Sequence, residues 1–146
     1  GRMPFQVKRL SSADEMLFAR IAPDVFDEAV EPQRLGDYLG TPGHLMVVAH
    51  EGDTIVGQCA GVLHRHPDKP TELYVDEVGT ASTHRRQGIA RAMMVELFAW
   101  GRELGCEEAW LGTEFDNDAA NALYRGFRPT EDAGIQFYLF ALGERD

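Results

Sequence analysis

Cysteine is scarce in this chain of 146 residues. Only Cys59 and Cys106 occur, too few for a disulfide scaffold, and nothing around them has zinc-ligand spacing. Long apolar runs are missing too. None reaches the roughly 18 residues a membrane span requires, and the first residues lack a signal peptide's apolar stretch. Basic charge is also in short supply: 14 Lys and Arg face 24 Asp and Glu, a formal net charge of -10. A field of that sign repels polyphosphate backbones and attracts cations, which argues against a nucleic-acid partner. Neither GxGxxG nor GxxxxGK[ST] occurs, so two common nucleotide loops are excluded. These absences predict a reduced, cytoplasmic protein without membrane or nucleic-acid partners. What is present is ordinary: 44% hydrophobic and 26% charged residues exclude wholesale disorder and fibres and fit one domain over residues 1–146.

Periodicity predicts a mixed α/β chain. Residues 4–10 alternate weakly as a first strand. Ser12 with Glu15 has capping-box spacing and predicts a helix to about Ile21. Further short helix is expected between Asp24 and Leu39, with Pro32 suited to a helix start. His44 to Ala49 and Thr54 to His64, joined by the turn Glu51-Gly52-Asp53, read as a hairpin. Leu73 to Thr80 is the next strand. From Gly88 to about Leu104, Ile89, Met93, Leu97 and Trp100 recur at helical spacing, Met94 and Phe98 broaden that face, and Gly105 suits the C′ position. Glu108 to Thr113 reads as strand, Asn117 to Tyr124 as a helix capped by Asn117 or Asp116, and Ile135 to Leu142 as a last strand. The pattern is a mixed sheet with helices packed on it.

The sharpest local feature is His84-Arg85-Arg86-Gln87-Gly88-Ile89-Ala90, between a strand and the long helix. Two arginines at a helix N-terminus face the positive end of the macrodipole, which costs a few tenths of a kcal/mol each. An anion there reverses the sign, because free N–H groups, dipole and guanidinium groups then all favour it. The small Gly88 and Ala90 let backbone amides approach phosphate oxygens. A solvated basic turn is the competing account, and charge and position alone leave both open.

Arg85-x-x-Gly88-x-Ala90 resembles the (Q/R)xxGx(G/A) signature of the GNAT N-acetyltransferases, which hold the pyrophosphate of acetyl-CoA on this loop. Asp76-Glu77-Val78-Gly79-Thr80 sits where that family's central strand lies, and Asn117-x-x-Ala120-x-x-Leu123-Tyr124 is similar to its NxxAxxLY segment. A narrower likeness, carried by Tyr74 to Ala90 and Asp118 to Tyr124, is to the gentamicin-type aminoglycoside 3-N-acetyltransferases. The superfamily usually spaces this tyrosine further from its Gly-Phe pair than the single Arg125 does here, so the turn must be tighter.

The resemblance implies a GNAT fold: a mixed, mostly antiparallel sheet of about six to seven strands, splayed between the fourth and fifth. It implies acetyl-CoA as co-substrate, direct acetyl transfer to an amine, and often a homodimer. Pantetheine would lie along Val78, Gly79 and Thr80 like an added strand, a backbone N–H near Val78 would polarise the thioester, and Asn117 would bond the pantetheine arm. The diphosphate would sit on Arg85, Arg86, Gln87, Gly88, Ile89 and Ala90. Glu77 is the first choice of base and Asp76 the second, since neighbours on a strand point to opposite faces and Glu77 aligns with an Asp of the gentamicin-type enzymes. Either carboxylate reads equally as solvated or acceptor-binding. Tyr124, a phenol with an ordinary pKa near 10, is the candidate acid for the departing thiolate. Its plainer role is a core tyrosine, as Asn117's is a helix cap.

Asp24, Asp27, Glu28, Glu31 and Asp37 crowd one region, and Glu114, Asp116 and Asp118 another. They suit a cationic acceptor such as an aminoglycoside or polyamine, or form a solvated acidic surface. His64-x-His66 can set two imidazoles on one strand face, but no third ligand is evident and Pro67 follows, so no metal is expected. The alternative within the same class is acetylation of another small metabolite or of a protein amine, and a non-catalytic acyl-CoA-binding module is the rival from another class.

Overall fold

The computed structural model describes residues 4–143. Five strands form one sheet in the order β1-β2-β3-β4-β5: β1 Gln6–Arg9, β2 His44–Glu51, β3 Thr54–His64, β4 Glu72–Thr80 and β5 Glu108–Trp110. The first three ladders are antiparallel and β4–β5 is parallel. Among the described residues three α-helices, α1 Pro32–Gly40, α2 Ile89–Glu103 and α3 Asp118–Arg125, join 3-10 helices at Ser12–Ala19 and Ser82–His84. The chain divides into two compact units, Gly1–Gly112 and Thr113–Asp146.

In the first unit, β2 buries five consecutive residues from Leu45 to Ala49, the mark of a strand covered on both faces. Helix α2 turns Ile89, Met93, Met94 and Leu97 into the core, at the spacing that brings one face of a helix against a sheet. Gly101 continues that stripe, and a side chain there would press on Leu73. Arg9 of β1 clasps the outside of α2: its Nε donates to Glu96 at 2.6 Å, its Nη2 to Glu103, and its guanidinium lies 5.5 Å from the Trp100 ring centroid. Gly105, at φ 94°, follows the helix end as its C′ residue.

Two expectations move. The capping box is one residue earlier than predicted: Ser11 Oγ accepts from Ala13 N, and the Asp14 carboxylate accepts from Ser11 N at 2.7 Å. The β1 edge persists through Leu10, whose N–H reaches Met46 O, so the chain first turns at Ser11. The helix capped there, Ser12–Ala19, is 3-10 rather than α. Residues 24–31 are not helical; α1 begins at Pro32.

The strand count also differs, five rather than six to seven. Ile135–Leu142 joins no ladder, and Ile135, Phe137, Tyr138, Leu139, Phe140 and Leu142 are exposed. A run of apolar and aromatic residues has strand propensity, but a strand also needs a neighbour, and among the described residues the second unit contains only α3 as regular structure. β5 stops at Trp110 rather than running to Thr113.

Candidate active site

Strand β4 carries the Asp76–Glu77 pair and the Val78–Thr80 segment, and its two edges are paired unequally. On one side it pairs with β3 along its length. On the other it pairs with β5 only through Glu72–Glu108, Leu73–Ala109 and Tyr74–Trp110, where the Tyr74 and Trp110 rings stack at 4.3 Å. From Val75 to Thr80 that second edge has no ladder partner among the described residues. The fourth and fifth strands thus part after three residue pairs, and a row of backbone donors and acceptors is left for something else to bond.

The β3–β4 register slips between Ala60 and Gly61: Ala60 faces Glu77 and Gly61 faces Val75, so Asp76 is the extra residue of a bulge. Strict alternation, which would send Asp76 and Glu77 to opposite faces, is therefore interrupted here. The charges of both carboxylates raise the Tyr38 pKa, after burial of that phenol as the larger cause. Burial, then the charges of Asp76 and Asp27, raise Glu77 above the ordinary carboxylate value. Burial also raises Asp76, opposed by its own backbone hydrogen bond and by His44. Cys59, fully buried in β3, is pushed up to about 12 by burial and by Asp76.

Tyr38, His44 and Asp27 are members of this cluster that sequence reasoning did not place in it. Tyr38 O–H donates to Leu45 O at 2.8 Å, and the Tyr38 ring meets His44 edge-on at 5.2 Å. Asp27 belongs to the stretch 21–30, where with Asp24 and Glu28 it lines an open depression of about 320 Å³. The same stretch holds the far end of β4. Gln58 Nε2 donates to Val25 O at 3.4 Å, and Gly79 has no room for a side chain because Val25 O stands over it.

After β4 the backbone turns sharply. Ala81 N reaches Val56 O at 2.9 Å, and Arg86 (φ 63°) and Gly88 (φ 77°) are both left-handed before α2 begins at Ile89. A non-glycine residue in that region is uncommon and costs about 1–2 kcal/mol. Left-handed residues in a turn gather backbone N–H groups into an anion-binding concavity. No side chain caps α2, and Arg85, Arg86 and Gln87 are exposed. Among the described residues no ion pair engages Arg85 or Arg86, whereas neighbouring His84 meets Glu51 at 3.1 Å. The turn therefore presents two uncommitted cations and the open amides of a helix start.

Tyr124 and Asn117 lie in the second unit. Asn117 Oδ1 accepts from Ala120 N at 3.1 Å, so the helix-cap role is real. Asn121 Nδ2 donates to the carbonyls of Glu114, Phe115 and Asn117, fixing the turn ahead of α3. Tyr124 is half-buried one residue before the helix ends, and Phe127 N returns to Tyr124 O at 3.0 Å. That is the tight turn predicted by the short spacing to Gly126-Phe127.

Known proteins share this fold. Solved structures of similar fold include an aminoglycoside acetyltransferase, meta-AAC0020, from an uncultured soil metagenomic sample, in complex with trehalose. It has TM-score 0.83 at 18% identity, covering 96% of this chain and 97% of that one. Another is the aminoglycoside N-acetyltransferase AAC(6')-Iy in complex with CoA, with TM-score 0.72 at 15% identity over 93% and 94% of the two chains. A curated relative, the L-2,4-diaminobutyric acid acetyltransferase of Oceanobacillus iheyensis, is 33% identical over 82 residues, 56% of this chain. That match spans 44% of the relative's own length. Residues 13–127 match the acetyltransferase (GNAT) family profile, which takes in β2 to β5, the Arg85–Ala90 turn and α3, and the chain belongs to that family.

Proposed function

We propose that the chain is an N-acetyltransferase moving acetyl from acetyl-CoA to a primary amine on a cationic acceptor. The observation that carries this reading is the left-handed turn at Arg86 and Gly88, which opens α2 with two uncommitted arginines beside the free edge of β4. Arg85 and Arg86, with the backbone N–H groups from Gln87 to Ala90, bind the diphosphate. Pantetheine lies along the unpaired edge at Val78, Gly79 and Thr80, adding the hydrogen bonds β5 does not make. Holding donor and acceptor together removes the entropic cost of their encounter. A backbone N–H of that segment stabilises the oxyanion.

The amine nitrogen attacks the thioester carbon, an N–C bond forms and the C–S bond breaks. The amine's proton passes to Glu77, directly or through water, and the departing thiolate takes up a proton, the role that the family resemblance gives to Tyr124. A raised pKa makes Glu77 a better base towards an ammonium than an ordinary carboxylate. Asp76, on the bulge beside it, adds the field that raises Glu77 and attracts the ammonium. Asp27 extends this negative region towards Asp24 and Glu28, which suits an acceptor with several amines.

Two acceptor classes are favoured by specific likenesses: aminoglycosides, as for the proteins of similar fold, and small diamino acids, as for the diaminobutyric acid enzyme. The test is thiol release from acetyl-CoA across aminoglycosides, polyamines and diamino acids. Turnover with gentamicin-like amines alone supports the 3-N-type reading, and turnover with diamino acids alone selects the second class. Tight CoA binding with no thiol release across the panel would replace the enzyme by a binding module.

A further inference from the structure

We propose that His64, His66 and Glu72 form a site for one divalent transition-metal ion of the zinc class, clipping the loop between β3 and β4 to the end of the sheet. His64 and Glu72 are direct partners at the last step of the β3–β4 ladder. Facing residues on neighbouring strands carry their side chains to the same side, about 5 Å apart at Cβ. His66 returns to this pair from the loop. Its ring centroid is 4.3 Å from that of His64, and its Nε2 hydrogen-bonds to Glu72 Oε1. One donor atom from each of the three lies within 4.8 Å of the others.

The donor set favours the ion class. Two imidazole nitrogens and one carboxylate oxygen suit zinc and its neighbours, whereas magnesium and calcium take all-oxygen shells. Bonds of about 2.0–2.2 Å in a tetrahedron place donors about 3.4 Å apart. The His66 and Glu72 donors, now in hydrogen-bond contact, lie closer than this, and His64, exposed at the strand end, lies within 4.8 Å of them, so an ion would spread the three to that spacing by side-chain rotation. An ion would replace the direct His66–Glu72 hydrogen bond. Glu108, opposite Glu72 in the parallel ladder, adds negative charge beside the site. The loop's one arginine, Arg65, is felt at Cys106, whose thiol it lowers against a larger effect of burial. With three protein ligands and a fourth position open to water, the ion would join residues 64, 66 and 72 across a loop that carries Pro67 and Pro70.

The experiment titrates the untagged full chain with Zn²⁺ alone by calorimetry, and with Co²⁺ by visible absorption. One ion per chain is expected, with a tetrahedral Co²⁺ band and a rise in Tm on Zn²⁺ addition. His64→Asn, His66→Gln and Glu72→Gln should each weaken binding by about tenfold or more, while His50→Asn leaves it unchanged. His64 is exposed, so His64→Asn stays folded and keeps the test open if His66→Gln does not. No heat and no band at about 100 μM ion with folded protein would overturn the site, as would equal binding by the three ligand variants.

Discussion

The carbonyl oxygen of Val25 fills the space where a side chain on Gly79 would begin, and Gln58 donates to the same oxygen from β3. The far end of β4 is thus fixed against a non-helical segment by two backbones in contact. Gly79→Ala is expected to destabilise the fold by about 1–3 kcal/mol, because a backbone carbonyl cannot change rotamer to make room. Thermal unfolding reads this directly, and an unchanged midpoint would show that the two segments are not in contact.

Arg85→Ala and Arg86→Ala are expected to weaken CoA binding by about tenfold each, with affinity falling steeply as salt rises. Stability should hold or rise slightly, since each substitution removes a cation from the positive end of α2. Calorimetry with CoA checks both arms. A merely solvated basic turn would leave affinity untouched.

Glu77→Gln is expected to lower kcat/KM most where the wild-type carboxylate is ionised, and the pH–rate profile from about pH 6 to 9 measures it. An unchanged profile removes Glu77 from the base role and turns attention to Asp76.

Stability should move the opposite way. Burial raises Asp76 and Glu77 above their ordinary values of 3.8 and 4.5. The folded state therefore holds more protons than the unfolded one, and stability falls as pH rises from those values through the raised ones. Above that window each charge is a liability. Asp76→Asn and Glu77→Gln should both raise the free energy of unfolding at neutral pH, by less than about 1 kcal/mol once solvent screening is counted. The gain should vanish below the ordinary values, which denaturation at acidic and neutral pH will show.

Tyr124→Phe is expected to lower kcat about 100-fold with little change in the KM for acetyl-CoA. A fall in Tm with turnover intact would assign Tyr124 to packing instead.

Local periodicity made much of the first unit legible. The β2–β3 hairpin, the stripe from Ile89 to Leu97 and the C′ role of Gly105 all arise from spacing or turn chemistry within a few residues. The Arg85–Ala90 turn was legible because misplaced charge is visible in one dimension. The left-handed Arg86 was not, since arginine gives no signal for it. Residues brought together by pairing stayed hidden. Tyr38 of α1 and His44 of β2 reach the Asp76–Glu77 pair from two other elements, and only the ladder register places Glu72 opposite His64. The bulge at Asp76 leaves no trace in a run that alternates normally on either side. Ile135–Leu142 shows the reverse failure: its apolar and aromatic run has strand propensity and says nothing of a neighbour.

The early end of the β4–β5 ladder has a consequence for hydrogen exchange. Amides between Val75 and Thr80 that face away from β3 have no protein acceptor in that ladder, so in the free chain they should exchange with solvent more readily than those of the closed β2–β3 seam. A molecule lying in the gap would slow that exchange, making these few residues a built-in reporter of occupancy that needs no turnover to read.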